Sequence, residues 1–460
     1  MAKYQAYAEY KDSGVEWLGV VPSHWIITTL KRYCYVKGGF AFSSDAFIDT
    51  GYPVIRIGDI KTDGSINLEN CKYIPESLAV NSRDYLVEKN QLLMAMTGAT
   101  IGKAGLYTSN QPAFLNQRVG KFELLAQNMN YRYLWYILKT DGYQEYIKLT
   151  AFGGAQPNIS DTAMVDYPAT IPSFDEQTQI ANFLDHETSK IDHLIEKQQK
   201  LIELLKEKRQ AVISHAVTKG LDPNVPMKDS GVAWLGEVPQ NWTATKIGFH
   251  ALKIGSGKTP KGGAEIYQDE GVLFIRSQNV YNDGLRVDNS ESVYISEAIH
   301  DEMSTSKIYS GDILLNITGG SIGRSSLVPD KFPEANVNQH VCIIRVRKYL
   351  QEFLALVIQS DLIQAQLRSI QTGGNREGLN FEQISKFWFV LPPKDEQEQI
   401  ILFIKNKLNE FGKLEARANK AIQLMQERRT ALISAAVTGK IDVRHWQSPT
   451  VAEADTELSA

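Results

Sequence analysis

Cysteine is scarce in this chain, with three residues, Cys34, Cys71 and Cys342, among 460. They stand far apart and match no metal or redox spacing. The two halves of the chain do not place them at equivalent positions, so buried apolar filler is their expected role and a reducing cytoplasm the expected compartment. Long apolar runs are also missing. No stretch of about 18 apolar residues exists to span a membrane, and Met1 to Tyr7 shows no apolar signal-peptide core. Neither sign of charge dominates: 49 Lys and Arg face 53 Asp and Glu, for a net charge of −4. Residues 26–150 hold 14 basic and 11 acidic side chains, and residues 243–371 hold 13 and 14. A nucleic-acid-binding role would therefore need its positive charge gathered on one face.

Signatures of covalent chemistry are absent as well. Gly255-Ser256-Gly257-Lys258-Thr259 looks like the end of a phosphate-binding P-loop, which needs a further glycine five residues earlier on a strand-to-helix turn. Position 252 is Leu, and Pro260 follows where that helix would have to begin. Adenine methylation needs an Asn or Asp before Pro-Pro-aromatic, whereas Pro392-Pro393 lies between Leu391 and Lys394. Helicase motifs and a paired-carboxylate-plus-Lys nuclease core are not found. No His stands at metal-ligand spacing in a form that the second half repeats. The expectation is a protein with no catalytic residues and no metal or cofactor of its own.

What the chain does have, it has twice. Residues 11–25, KDSGVEWLGVVPSHW, return at 228–242 as KDSGVAWLGEVPQNW, identical at eleven of fifteen positions. Thr97-Gly98-Ala99-Thr100-Ile101-Gly102-Lys103 recurs as Thr318-Gly319-Gly320-Ser321-Ile322-Gly323-Arg324. Asn116-Gln117-Arg118 recurs as Asn338-Gln339-His340, and Asp175-Glu176-Gln177 as Asp395-Glu396-Gln397. Residues 211–218 return at 431–438. Solenoid units repeat every 20 to 50 residues or so, and this spacing is far longer. A domain plus a helix has been duplicated in tandem, which implies an internal pseudo-twofold suited to a target with two half-sites.

The repeat sets the expected organisation: an N-terminal segment 1–25, a β-rich globular domain 26–170, a long helix 171–220, a copy of the N-terminal segment 221–242, a second β-rich domain 243–390, a second long helix 391–442, and a disordered tail 443–460. Apolar segments at 51–57, 91–96 and 118–124 read as strands, with counterparts at 272–276 and 312–317. Tyr131 to Tyr146 has helical spacing. Ser173 and Glu176 stand at capping-box spacing ahead of the first long helix. Ile180, Leu184, Ile191, Leu194, Leu201, Leu205 and Val212 then follow a coiled-coil seam, matched in the second helix by Ile400, Ile404, Phe411, Leu414, Ala421, Met425 and Leu432. Each helix should run about 43 residues, or roughly 65 Å. The fold class is α+β, two β-rich domains separated by two long helices that bury their stripes as an antiparallel coiled coil. Each helix folding back on its own domain is the competing arrangement.

Candidate contact residues follow from the duplicated polar elements. Thr97, Lys103, Thr318 and Arg324 belong to glycine-bracketed elements after strands, either turns that the fold requires or loops meeting a nucleic-acid backbone. Asn116, Gln117, Arg118, Asn338, Gln339 and His340 have base-reading or internal hydrogen-bonding chemistry. Lys258, Thr259 and Lys261 ride a Gly-rich loop whose first-half counterpart includes Lys37. Arg56 and Arg276 end equivalent strands, in structural or phosphate-facing roles. Loops 153–158 and 373–378 differ between the halves, which puts Asn375 and Arg376 among the candidates.

Taken in order, the repeated segments at 12–19 and 229–236, the Pro-x-x-x-Glu-Gln-x-x-Ile helix starts at 172–180 and 392–400, and the helix ends near 209–218 and 429–438 resemble the specificity subunit of type I restriction-modification systems, over essentially residues 11–443. The resemblance implies a non-enzymatic chain whose two target recognition domains each read one half of a split, asymmetric site in double-stranded DNA. It also implies helices that dock two modification (methyltransferase) subunits, with two restriction (translocase/endonuclease) subunits joining. The S-adenosylmethionine, ATP and Mg2+ of such a complex belong to those partners, and no membrane is involved. A coiled-coil scaffold whose globular domains bind protein is the alternative.

Overall fold

The computed structural model describes residues 4–447 apart from 126, 155, 261, 288–291 and 372–377. The chain forms two compact units. Unit 1 comprises residues 1–198 and 419–460, and unit 2 comprises residues 199–418. Each long helix, Phe174–Lys219 (46 residues) and Lys394–Val437 (44 residues), thus contributes residues to both units.

The β body of unit 1 grows from short apolar runs. Tyr52–Ile55 and Ala113–Leu115 pair in parallel, with Lys72–Ile74 and Leu86–Val87 on the flanks. An antiparallel sheet has the spatial order Cys34–Gly38, Val119–Leu124, Leu92–Ala95, Ala104–Leu106. Leu92–Ala95 is buried at every position, which is why its sequence shows no polar alternation. Unit 2 repeats both arrangements, except that an isolated bridge between Lys307 and Asn336 replaces the Leu86–Val87 strand. Val272–Ile275 runs parallel to Ala335–Val337, and the antiparallel sheet is ordered Ala251–Ser256, Val341–Val346, Ile313–Asn316, Ser325–Leu327. Each body is tied off by a strand pair from its two ends: Ile26–Thr29 with Pro168–Ile171, and Thr243–Lys246 with Trp388–Leu391. Cys34, Cys71 and Cys342 are all buried thiols without disulfides.

Three local expectations change. The aromatic stretch after residue 130 is two helices, Tyr131–Leu138 and Asp141–Thr150, because the Thr140 hydroxyl accepts from the Tyr143 N–H at 3.3 Å and starts the second. The tail is packed up to Trp446: Val443 is buried, and the Trp446 ring meets Phe183 edge-on at 5.6 Å. Residues 448–460 lie outside the described residues. The capping box is half formed. Ser173 Oγ accepts from the Glu176 N–H at 3.3 Å, but the Glu176 carboxylate is engaged elsewhere.

The helices pair antiparallel within each unit. In unit 1 Arg429 meets Asp192 at 3.0 Å, while the Thr170 hydroxyl, just before the first helix, donates to the Val437 carbonyl at 3.3 Å. In unit 2 Ile213 and Val217 share a core with Ile400 and Ile404. Ile180, Leu184, Ile400, Ile404 and Leu432 are buried where the domain body covers the seam, so pairing and folding back on the domain occur together. Farther along, Leu194, Leu201 and Leu414 remain 44%, 41% and 37% exposed.

The repeated segments and the helix starts meet at a carboxylate, buried in unit 1 and half-buried in unit 2. Glu176 Oε1 accepts from the Tyr7 hydroxyl at 2.7 Å and the Trp25 indole at 3.1 Å, and its Oε2 lies 3.1 Å from His24 Nε2. Burial, then the bond to Glu176, pushes the Tyr7 hydroxyl far above the tyrosine range and keeps it a donor. In unit 2 Glu396 accepts from the Trp242 indole at 2.9 Å and from Asn241 at 3.3 Å. The adjacent Gln177 and Gln397 donate to the Pro172 and Pro392 carbonyls at 3.1 and 2.9 Å, which fixes both helix starts in the same way.

Unit 1 also holds a half-buried lysine. Lys139 Nζ sits 3.8 Å from the Trp135 ring centre and donates to the Asp63 carbonyl at 2.8 Å. Burial first, and then the nearby Arg429 guanidinium, bring its ammonium down from 10.5 to about 7.

Two outcomes are expected. Glu176→Ala strands two buried donors and Glu396→Ala strands one, at about 1–3 kcal/mol each. Calorimetry of the full chain should show the unit 1 transition falling further with Glu176→Ala than the unit 2 transition falls with Glu396→Ala; equal shifts would contradict the geometry. Lys139 binds fewer protons folded than unfolded between about pH 7 and its ordinary value of 10.5. Its contribution therefore makes unit 1 more stable as pH rises through that window and is flat below it. Lys139→Gln should remove that slope in a pH series of unfolding midpoints.

Candidate nucleic-acid interface

Three loops converge in each unit, and several backbone constraints recur in both. The Thr-Gly-x-x-Ile-Gly element follows a strand, and Gly98 and Gly319 (φ 71° and 73°) occupy the left-handed region that glycine tolerates. The second glycines are clamped by duplicated amides: Gln144 Nε2 donates to the Gly102 carbonyl at 3.1 Å, and Gln364 Nε2 to the Gly323 carbonyl at 3.0 Å. Beside this element stands the Asn116–Val119 turn, or Asn338–Val341 in unit 2. In both, the Asn N–H donates to the end of the parallel strand, at Ile55 and Ile275, over 3.0 Å. The third loop presses its glycine onto that turn. A side chain at Gly39 would overlap the Asn116 carbonyl, and one at Gly257 the Val337 carbonyl. This close approach is the reason for the Gly-rich stretch that imitates a P-loop.

In unit 2 the three loops are linked by side chains. The Thr259 hydroxyl donates to Gln339 Oε1, the Gln339 amide faces His340 Nε2 at 3.0 Å, and His340 Nδ1 lies 2.6 Å from Thr318 Oγ1. With the Gln339 N–H directed at Nε2, that nitrogen accepts and Nδ1 carries the proton, so a neutral His340 completes the chain. The second Gln339 N–H and the Thr318 hydroxyl proton remain available to an outside acceptor, next to exposed Lys258. Asn338 is buried, and its side chain accepts from the His340 N–H at 3.1 Å, so it shapes the turn rather than facing outward.

In unit 1 the corresponding surface is an open cleft of about 570 Å³ lined by Thr97, Gln117, Arg118, Phe152 and Asn158. Gln117 and Arg118 are exposed, and neither side chain has a partner among the described residues. Thr97 Oγ1 is buried without a partner among the described residues. Phe152, 61% exposed, adds an aromatic face at the edge of the cleft. Exposed Arg and Gln beside an aromatic ring can bond base edges and stack on an unpaired ring system.

The other candidates are placed elsewhere. Lys103 is half-buried with no side-chain partner among the described residues. Arg324 lies 4.9 Å over the Tyr281 ring in a different cleft, facing Lys206 and Arg209 of the first long helix. Arg56 is absorbed by its own turn, donating to the Asn70 carbonyl at 2.8 Å and pairing with Asp59 at 3.5 Å. Arg276 caps an equivalent turn with Asn279 and lies 5.9 Å over Tyr267. Lys37 pairs with Asp84 at 3.6 Å. Lys261, Asn375 and Arg376 lie outside the described residues. Phe152 and Asn158 were not singled out from the sequence, although the difference between loops 153–158 and 373–378 already pointed to that neighbourhood.

Comparison with known proteins matches this architecture throughout its length. The family of the type I restriction modification DNA specificity domain is matched twice, by residues 22–205 and by residues 239–424. The EcoBI type I restriction enzyme specificity subunit of Escherichia coli is 25% identical over 452 residues, covering 96% of this chain and 91% of that one. The putative MjaX specificity subunit of Methanocaldococcus jannaschii is 22% identical over 447 residues, covering 96% and 99%. A solved structure described as the structural basis of complex assembly and conformational transition of the type I R-M system superposes with a TM-score of 0.69 at 13% identity, covering 92% of this chain and 99% of that one, and so shares its fold. With two family matches over more than half its length, each falling on one β body and most of its helix, the chain belongs to the type I restriction-modification specificity subunits, the non-catalytic, DNA-recognising members of those systems.

Proposed function

We propose that the loop face of each unit reads one half of a split, asymmetric site in double-stranded DNA. The observation that carries this is the shared glycine turns, amide clamps and Asn N–H bonds of the two loop trios set against their different side chains: among the described residues Gln117 and Arg118 have no side-chain partner over one cleft, while Gln339 and His340 are wired to Thr259 and Thr318 in the other. Two scaffolds of one shape with different donors and acceptors suit two different half-sites. In this reading the long helices set the separation of the half-sites, which must present themselves on one face of the duplex, about 34 Å or a similar fixed distance apart. Two modification subunits dock on the helices and two restriction subunits complete the assembly. S-adenosylmethionine, ATP and Mg2+ serve those subunits, in the cytoplasm. Since neither domain is strongly basic, tight binding requires the modification subunits as well.

A modified-base map of the host genome, with this gene intact and deleted, tests the reading. Methyladenine should vanish from one split, asymmetric motif, and exchanging residues 26–170 should alter one half of that motif alone. An unchanged map in cells that express the modification subunit would favour the protein-binding scaffold. Within the assembled complex, Arg118→Ala should cost about 1–3 kcal/mol and relax preference at one base pair. Lys258→Ala should weaken all sequences alike and lower the salt slope by about one. Anisotropy titrations across a salt series separate these two behaviours.

A further inference from the structure

The units differ where the β body faces the long helices. In unit 1 that space is filled. The Trp135 indole donates to the Ala104 carbonyl at 3.1 Å, a side chain at Gly64 would run into its ring, and Lys139 covers it. Arg429 of the second long helix closes the edge, held by Asp192 at 3.0 Å.

The repeat places Ala355 at the position of Trp135, Gln359 at Lys139, Gly412 at Asp192 and Arg209 at Arg429. Three filling side chains are trimmed together while the guanidinium is kept. Unit 2 accordingly has an open cleft of about 1000 Å³ bordered by Gly284, Ala355 and Arg209, and a side chain at Gly284 would meet nothing within 4 Å. Leu356, Ile401 and Ile404 make its apolar wall. Lys206, Arg209 and Arg324 also line it, and among the described residues none of the three has an ion pair.

We propose that this cleft docks a segment of a partner polypeptide that presents an aromatic side chain beside a carboxylate. Those are two of the groups that unit 1 supplies to the same place from its own chain. The ring would sit against Ala355 and Gly284, and the carboxylate would meet Arg209 in a charge-assisted pair. The volume lies at the upper end for ligand pockets, enough for several residues rather than one side chain. The assignment does not depend on the DNA reading.

The test uses the full chain and a fluorescent twelve-residue Gly/Ser peptide with a central Trp-Asp pair. Saturable binding is expected, weakened about tenfold or more by Ala355→Trp, which fills the cleft, and by Arg209→Gln, which removes the cation. Peptides with Ala for Trp or Asn for Asp should lose affinity to a similar extent. Calorimetry should show the unit 2 transition kept in both variants; if Ala355→Trp does not fold, Arg209→Gln decides. Absence of saturable binding to the unmodified chain overturns the proposal. So does equal binding by the Trp-less peptide or by the variants. Competition by indole-3-acetate at the peptide's own concentration would also overturn it, and would assign the cleft to a small aromatic acid.

Discussion

The indole N–H of Trp25 held by the Glu176 carboxylate, and that of Trp242 held by Glu396, join parts of the chain that lie far apart in sequence. Each bond brings a repeated N-terminal segment onto the first turn of a long helix. The same two tryptophans also touch the end of the other long helix: Trp25 packs against Gly439, and Trp242 against Gly220. Three segments therefore meet at one carboxylate in each unit, buried at Glu176 and half-buried at Glu396. The core of unit 1 is completed only when the chain beyond residue 419 returns to it, and Leu432, Ile433 and Val437 lie in that core. A buried carboxylate is costly unless its hydrogen bonds are made. In both units the Trp is fully buried, and its indole N–H needs an acceptor, which the Glu supplies.

This join lets the loop faces vary. The amide clamps of Gln144 and Gln364, the left-handed glycines and the pressed loop at Gly39 or Gly257 fix the backbone from below. Side chains above it can change without moving the turn. Gln117 and Gln339 show the outcome, one without an internal partner and the other enclosed between Thr259 and His340. Duplication preserved the groups that shape the loops and released the groups that face outward.

Much of this was legible in the sequence because duplication marks what the fold needs. The period revealed the two bodies, the strands and both helices, and the Asp-Glu-Gln motif marked the helix starts. Sequence could not show what the motif does, since the partners of Glu176 lie about 150 residues away at His24 and Trp25. The heptad pattern showed the antiparallel seam but not its uneven burial, which depends on where a domain covers the second side of Leu184 and leaves Leu194 open. At the loops, the sequence offered both Arg56 and Arg118 as contact candidates, the first in a structural or phosphate-facing role and the second in a base-reading or internal one. Only the fold shows that Asp59 and Asn70 occupy the first while the second stands over a cleft. Side-chain competition inside the protein, invisible in a single sequence, decides which polar groups are left for a ligand.

The fastening of each body to its helix carries a polarity that duplication did not keep. Arg132 on the body pairs with Asp185 on the helix in unit 1, whereas in unit 2 Glu352 on the body meets Lys405 on the helix at 2.7 Å. The positions are equivalent and the charges reversed. Exchanging the two bodies between their helices would set Arg132 against Lys405 and Glu352 against Asp185. These pairs are solvent-accessible, so each bond is worth about 0–1 kcal/mol and the reversal biases the arrangement rather than forbidding others. Even so, the bias acts together with the Trp135 and Ala355 difference at the same face, where one body brings its own filling and the other leaves a cleft. Body and helix have thus diverged as matched pairs, and the order of the two bodies along the chain is written into their contacts with the helices as well as into their loops.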